Sequence, residues 1–385
     1  MGSLVLMGGC LLGLLGLEWA RRNLFPGHPP PSRWWTGRSR SRGSRLGGPD
    51  HRTALLHQSS ETLDSFFSNS AQLAEEQLRK ALLESRSATE RVRILCLLSD
   101  LASRKGERQD CLAFLEEAEE ALRSDWKPLD RGCLQALEAL LRTKTLAHLQ
   151  EGAPAESLQC LQESESVLGL SPWVLRVRSE CHLLAGRTEE ALSDLTKLES
   201  LGWDKSAEFH LLRAECHLRA RNYDALDWSL KAADLLSPYP DREKVIAASL
   251  RIERALHDGS IASAWRAVGV IHECLSRKVG DTGFRRAFHL GCARVHLAEG
   301  DLVEAHRHLQ LAENNAPYPV ALWDVHLLLG AVLEAEDRTE EARAVWERLI
   351  SEARGTYFAG VAEARLLRQN PPRCLKIPGL ETILK

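Results

Sequence analysis

Seven times the chain repeats one interval. A turn residue is followed by a small or apolar residue five positions on, a bulky one nine on, and another apolar one twelve on. The turn residues are Gly106, Gly152, Gly186, Arg221, Gly259, Gly300 and Asp337. Five on stand Cys111, Ser157, Ala191, Leu226, Ala264, Ala305 and Ala342. Nine on stand Leu115, Leu161, Leu195, Leu230, Val268, Leu309 and Trp346, and twelve on Ala118, Ser164, Leu198, Ala233, Ile271, Ala312 and Leu349. The turns lie 34 to 46 residues apart, the period of stacked helix pairs. A small residue lets the second helix of a pair approach the first, and the bulky one fills the gap to the next pair. Unstacked, each pair would leave a wide apolar stripe in water. The interval therefore predicts an all-α fold, an α-solenoid of about seven helical hairpins, over residues 53–369.

A chain of 385 residues exceeds the usual size of one compact core. A solenoid escapes that limit because each repeat needs only its neighbours. With 44% hydrophobic and 27% charged residues the composition is that of a folded protein. Charge is unevenly placed. Residues 1–52 carry eight arginines against Glu18 and Asp50, a net +6, so the remainder carries −9 of the total −3. An acidic repeat body does not offer the basic patch that nucleic acid needs, and no nucleic-acid partner is expected. The ten cysteines form no C-x-x-C pair. They fall at apolar helical positions, as reduced core residues do.

From Leu4 to Leu17 the chain reads LVLMGGCLLGLLGL, without a charge. Seventeen residues before Glu18 is the short limit for a membrane-spanning helix. Arg21 and Arg22 follow, then the Pro- and Arg-rich stretch to residue 52, and positive flanks stay cytoplasmic. The expected layout is a short N-terminal membrane anchor or targeting segment (1–20), a basic linker (21–52), the solenoid (53–369) and a tail (370–385). The weakly hydrophobic run with its basic flank is similar to the anchors of mitochondrial outer-membrane receptors, which implies that membrane with the repeats facing the cytosol. An uncleaved endoplasmic-reticulum anchor and a cleaved Arg- and Ser-rich presequence are the alternatives.

Individual units carry a family resemblance. LLLGAVLEAEDRTEEARAVWERL (Leu327 to Leu349) sets Leu329-Gly330 on the first helix and Ala342, Trp346 and Leu349 on the second. GCARVHLAEGDLVEAHRHLQLAENNAP (Gly291 to Pro317) closes with the proline expected between units, as NYDALDWSLKAADLLSP does at Pro238. The chain resembles the tetratricopeptide repeat superfamily across about residues 55 to 368. The departures are units longer than the family's usual 34 residues and the loss of turn glycine at Arg221 and Asp337. Ala74, Leu78 and Ala81 match a second helix alone, and Ala353 to Leu367 reads as a cap helix. Two units also loosely resemble repeats of co-chaperones with a J domain, but the His-Pro-Asp triplet those need is missing.

The resemblance implies a concave groove for a protein or peptide ligand. Chaperone-binding members of the family grip a terminal carboxylate pair there, using an asparagine. The matching positions here hold Asp100, Leu146, Glu180, Glu215 and Arg294, which disfavours that clamp. Arg176, Arg178 and Arg213 remain as candidate contacts for an acidic peptide. Six tryptophans (Trp173, Trp203, Trp228, Trp265, Trp323, Trp346) are the aromatic stock for a contact surface. Cys181-His182 and Cys216-His217 recur 35 residues apart, but adjacent helical residues point about 100° apart, so a repeated packing position explains them better than a metal. His289, His296, His306 and His308 fall on one hairpin without a His-to-His spacing of four and an intervening acid. Neither metal nor cofactor is expected, and no catalytic motif occurs. The expected function is a non-enzymatic scaffold or adaptor anchored to an intracellular membrane. The alternative is a soluble organellar chaperone or complex-assembly factor freed by presequence cleavage.

Overall fold

The computed structural model of the protein describes residues 72–124, 130–236, 240–278, 281–316 and 318–369. Among them are 16 helices and no strand. Helix α1 covers 72–84. Then come α2 (Ala88–Lys105), α3 (Arg108–Ser124), α4 (Arg131–Gln150), α5 (Pro154–Leu168), α6 (Pro172–Leu184), α7 (Thr188–Ser200), α8 (Ala207–Arg219) and α9 (Tyr223–Leu235). The series continues with α10 (Asp241–His257), α11 (Ile261–Arg277), α12 (Thr282–Glu299), α13 (Leu302–Glu313), α14 (Pro319–Ala335), α15 (Thr339–Glu352) and α16 (Tyr357–Gln369).

Each anticipated turn joins a pair: α2 to α3, α4 to α5, and so on to α14 and α15. All seven turns close in one way. The amide after the turn residue donates to the carbonyl five residues before it, at 2.8 to 3.0 Å, as from Glu107 to Ala102 and from Arg338 to Leu333. This bond of the Schellman motif requires left-handed backbone at the turn residue. The five turn glycines have φ of 68° to 80°, and Arg221 (55°) and Asp337 (59°) adopt the same conformation without glycine's freedom. The loss of glycine in the sequence therefore leaves the turn geometry intact and adds strain instead.

Every residue at the five-, nine- and twelve-on positions is buried. Where the small position carries a hydroxyl, that group is used: Ser157 Oγ donates to the Thr145 carbonyl across the hairpin at 3.1 Å. Glycines on first helices admit the largest partners. A Cβ at Gly330 would come within 2.4 Å of two ring carbons of Trp346, and one at Gly291 would lie 3.0 Å from Ile252. Several first helices start at serine caps, with Ser87, Ser171 and Ser206 accepting the amides of Glu90, Val174 and Phe209.

The described residues fall into two compact units. The smaller holds residues 72–143 with the segment Ser276–Asp281. In it the half-repeat helix α1 buries Leu78 against Ile94 and Leu98. The larger holds Lys144–Leu275 and Thr282 onward. Its hairpins share continuous cores, such as that of Val245, Ile252, Val268, Ile271, Phe284 and Val295. The cap helix α16 packs Phe358 and Ala362 into this unit. Contacts far apart in sequence also form within the larger unit. The Gly152 turn is pressed against Trp323 and Val320, and the Gly186 turn lies beside Tyr357. The guanidinium of Arg219 sits 4.2 Å over the Tyr357 ring.

No helix among the described residues is long and apolar enough to cross a membrane. The expected anchor (1–20), basic linker (21–52) and tail (370–385) lie outside the described residues, as do 53–71 at the start of the expected solenoid.

Candidate functional site

The first helices of the larger unit carry a ladder of charges that the chain satisfies by itself. Arg176 on α6 donates from Nη1 to Glu180 Oε1 at 2.7 Å and to Glu208 Oε1 of α8 at 2.9 Å. Arg219 pairs with Glu215 at 3.1 Å. Arg294 on α12 bridges Glu253 of α10 and Asp324 of α14, the latter at 3.2 Å. Arg286 is fully buried, 3.8 Å from Asp324 Oδ2. Its Nη1 also reaches the Ala321 carbonyl at 3.4 Å, while its Nε and Nη2 have no hydrogen bond. Buried ions are expensive unless paired, and here Arg176, Arg286 and Arg294 each link one first helix to another.

Burial pushes the Glu180 carboxyl up to about 7, with Glu208 and Glu215 reinforcing the shift and Arg176 opposing it. Three of the positions compared with the carboxylate clamp, Glu180, Glu215 and Arg294, thus belong to this internal ladder. Leu146 is core, and Asp100 lies in the smaller unit.

The three candidate arginines do not form one site. Arg176 is a member of the ladder. Arg178 braces three helices, donating to both oxygens of Asp194 on α7 (2.8 and 3.1 Å) and to Glu165 on α5 at 2.8 Å. Arg213 pairs with Glu199 at 3.0 Å and lies against aromatic rings, 5.4 Å from Phe209 and 4.5 Å from Trp228. An acidic peptide would have to displace carboxylates of this chain from each of them.

What the sequence treated alike, the structure separates. Of the six tryptophans, Trp323 and Trp346 are core, and Trp265 donates from Nε1 to Glu299 at 2.9 Å. Trp203 is 58% exposed and Trp228 is 55% exposed. His210 lies between them. Its ring meets Trp228 edge-on at 6.1 Å, and the backbone of Asp204, next to Trp203, is close enough to act on its charge. Burial and the neighbouring Arg213 lower its pKa, favouring the neutral ring. With Leu201 and Leu235, also exposed, these residues give the α7–α9 segment an apolar, aromatic border on which one arginine is stacked. Such indole and guanidinium groups are over-represented among side chains that carry binding energy.

The eight described cysteines are free and buried. Burial pushes the thiols of Cys96 and Cys216 up to about 12, so neither is poised as a thiolate. Cys181 and Cys216 fill equivalent core positions at 0% exposure. Of the histidines on the α12–α13 hairpin, the structure brings His289, His296 and His308 into ring contact, while His306 influences Glu341 on α15 instead.

No protein-family model matches the chain, and no curated protein matches it. Among solved structures the chain is similar to a tetratricopeptide repeat protein from Parabacteroides merdae, at 18% identity and a TM-score of 0.44 over 71% of this chain and 96% of that one. It is also similar to the human IFIT1 dimer with m7Gppp-AAAA, at 16% identity and a TM-score of 0.40 over 76% of this chain and 68% of that one.

Proposed function

We propose that the protein is a non-enzymatic helical-repeat scaffold that docks a protein partner on the border formed by Trp203, Trp228 and Arg213. The observation that supports this most directly is the exposure of two indoles in one neighbourhood, 58% and 55%, where Trp323 and Trp346 of the same unit are core. Partner segments with apolar anchors suit such a surface, because burying an indole contributes roughly 25 cal/mol per Å² of apolar area removed from water. The face of the first helices that carries the charge ladder is the less favourable place, since those charges already neutralise one another.

The sequence adds a location to this reading. The apolar run Leu4–Leu17 with its arginine flank supports an N-terminal anchor in the mitochondrial outer membrane, repeats toward the cytosol. Proximity labelling in cells tests the scaffold: the Trp203→Ala/Trp228→Ala double variant should lose a defined set of neighbours at unchanged helical content. An unchanged neighbour set would refute the surface. Sequencing the mature N-terminus tests the anchor. An intact Met1 end in the membrane fraction supports it, and a cut before residue 52 supports a soluble organellar assembly factor instead.

A further inference from the structure

The α12–α13 hairpin holds a second cluster that the scaffold role does not use. His296 comes from the last turn of α12, and Glu304 and His308 from α13. Glu304 and His308 are four residues apart and share one helical face, and the Gly300 turn folds His296 back onto that face. One ligand atom from each of the three lies within 4.8 Å of the others. His308 is more than nine-tenths buried.

The ring nitrogens are already oriented. His308 Nδ1 lies 2.9 Å from Nδ1 of His289. His308 Nε2 lies 3.2 Å from Arg307 Nη2, and a guanidinium can only donate. His308 Nε2 is therefore the acceptor, and the ring carries its proton on Nδ1, donated to His289. His296 Nδ1 is buried without a hydrogen bond, 3.5 Å from Glu299 Oε2 and 3.8 Å from Asp301 Oδ2. The bond from His308 Nδ1 to His289 is the kind of contact that fixes the tautomer and ring plane of a metal-binding histidine.

A cation already sits among these acceptors. Arg307 Nη2 is 2.7 Å from Glu304 Oε2 and bridges it to His308 Nε2. The Arg307 side chain is 53% exposed, so it can leave for solvent at the small cost of a surface ion pair. We propose that His296, Glu304 and His308 form a three-ligand site for a divalent first-row transition ion of the zinc class, with Arg307 as the resident cation in its absence. Two imidazoles and one carboxylate are a ligand set that zinc accepts, leaving a fourth position to water.

The test titrates the purified full-length protein with cobalt(II), then with zinc(II) as competitor. The expected result is one equivalent of cobalt giving the visible absorption of a four-coordinate N/O site, bleached by zinc. Glu304→Gln and His308→Gln should each weaken cobalt binding by about tenfold or more. Glu304→Gln is the variant to rely on if His308→Gln disturbs the core, because Glu304 is only partly buried. Arg307→Ala should tighten binding severalfold, which a merely adventitious ion would not show. An intense thiolate-to-cobalt charge-transfer band, binding no tighter than roughly millimolar, or unchanged affinity in Glu304→Gln would each overturn the site.

Discussion

Trp346 of α15 covers Gly330 of α14 so closely that the glycine's missing side chain is the space the indole fills. The indole is held at its far end as well, donating from Nε1 to Glu334 at 3.1 Å. The pair is the slim-against-bulky contact of the hairpin at its extreme. Gly330→Ala should therefore destabilise the protein by about 1–3 kcal/mol, the cost of forcing a methyl group into a filled core. Trp346→Ala should cost about 3–5 kcal/mol through the cavity it leaves. Urea unfolding followed by circular dichroism measures both. A Gly330→Ala variant as stable as the wild type would mean that the indole does not sit where it is described.

Arg221 and Asp337 hold left-handed backbone that the other five turns assign to glycine. A side chain there costs roughly 1 kcal/mol. Arg221→Gly and Asp337→Gly should each raise the unfolding free energy by several tenths to about 1 kcal/mol, less the added entropy of the unfolded chain. Gly300→Ala should lower it by a similar amount. The decisive comparison is between signs, and equal signs at Asp337 and Gly300 would contradict the shared turn geometry.

Asp324 neutralises Arg294 and stands beside the enclosed Arg286. Removing the anion leaves the buried Arg286 without a carboxylate, while Arg294 keeps Glu253, so Asp324→Ala should cost about 3–5 kcal/mol. Replacing the cation by an apolar side chain of similar length is a different operation. Arg286→Met should stay within about 1–2 kcal/mol of the wild type, because the desolvation penalty disappears along with the attraction. Denaturant midpoints decide the order, and a costlier Arg286→Met would show the ion pair to be net stabilising.

The folded chain holds a proton on Glu180 up to about pH 7, above the ordinary carboxylate range, because the group is buried. The folded state therefore binds more protons than the unfolded state between these limits, and stability contributed by this group falls as pH rises through that window. Glu180→Gln removes the titration but keeps an acceptor for Arg176. Its stability relative to wild type should increase from about pH 5 to about pH 8. Chemical denaturation at both values checks this, and parallel changes in the two proteins would exclude Glu180 as the titrating group.

The hairpins were legible because their packing is local: the turn, the small residue and the bulky residue all lie within thirteen positions of one another. The half-repeat at Leu78 and the cap helix after Ala353 followed from the same pattern. The fate of the charges was not legible. Arg176 finds Glu208 and Arg294 finds Asp324 some thirty residues away, and periodicity says nothing about which carboxylate faces which guanidinium. Trp228 and Trp346 both sit on second helices, but Trp346 stands nine on from its turn and packs on Gly330 of its own pair, whereas Trp228 stands seven on, between the buried Leu226 and Leu230. At the His296–Glu304–His308 cluster, a four-residue spacing was present in the sequence as Glu-to-His. No His-to-His spacing of four accompanies it, and the third member lies across a turn.

The clasp between the Gly152 turn and Trp323, with Tyr357 beside Gly186, changes how such a protein can evolve. An open row of hairpins can be lengthened or shortened by duplicating or deleting a module. In the larger unit an early turn fits a late indole, so an inserted module would shift Trp323 out of its seat. The number of hairpins between them is thereby frozen, and variation is channelled to exposed side chains rather than to length.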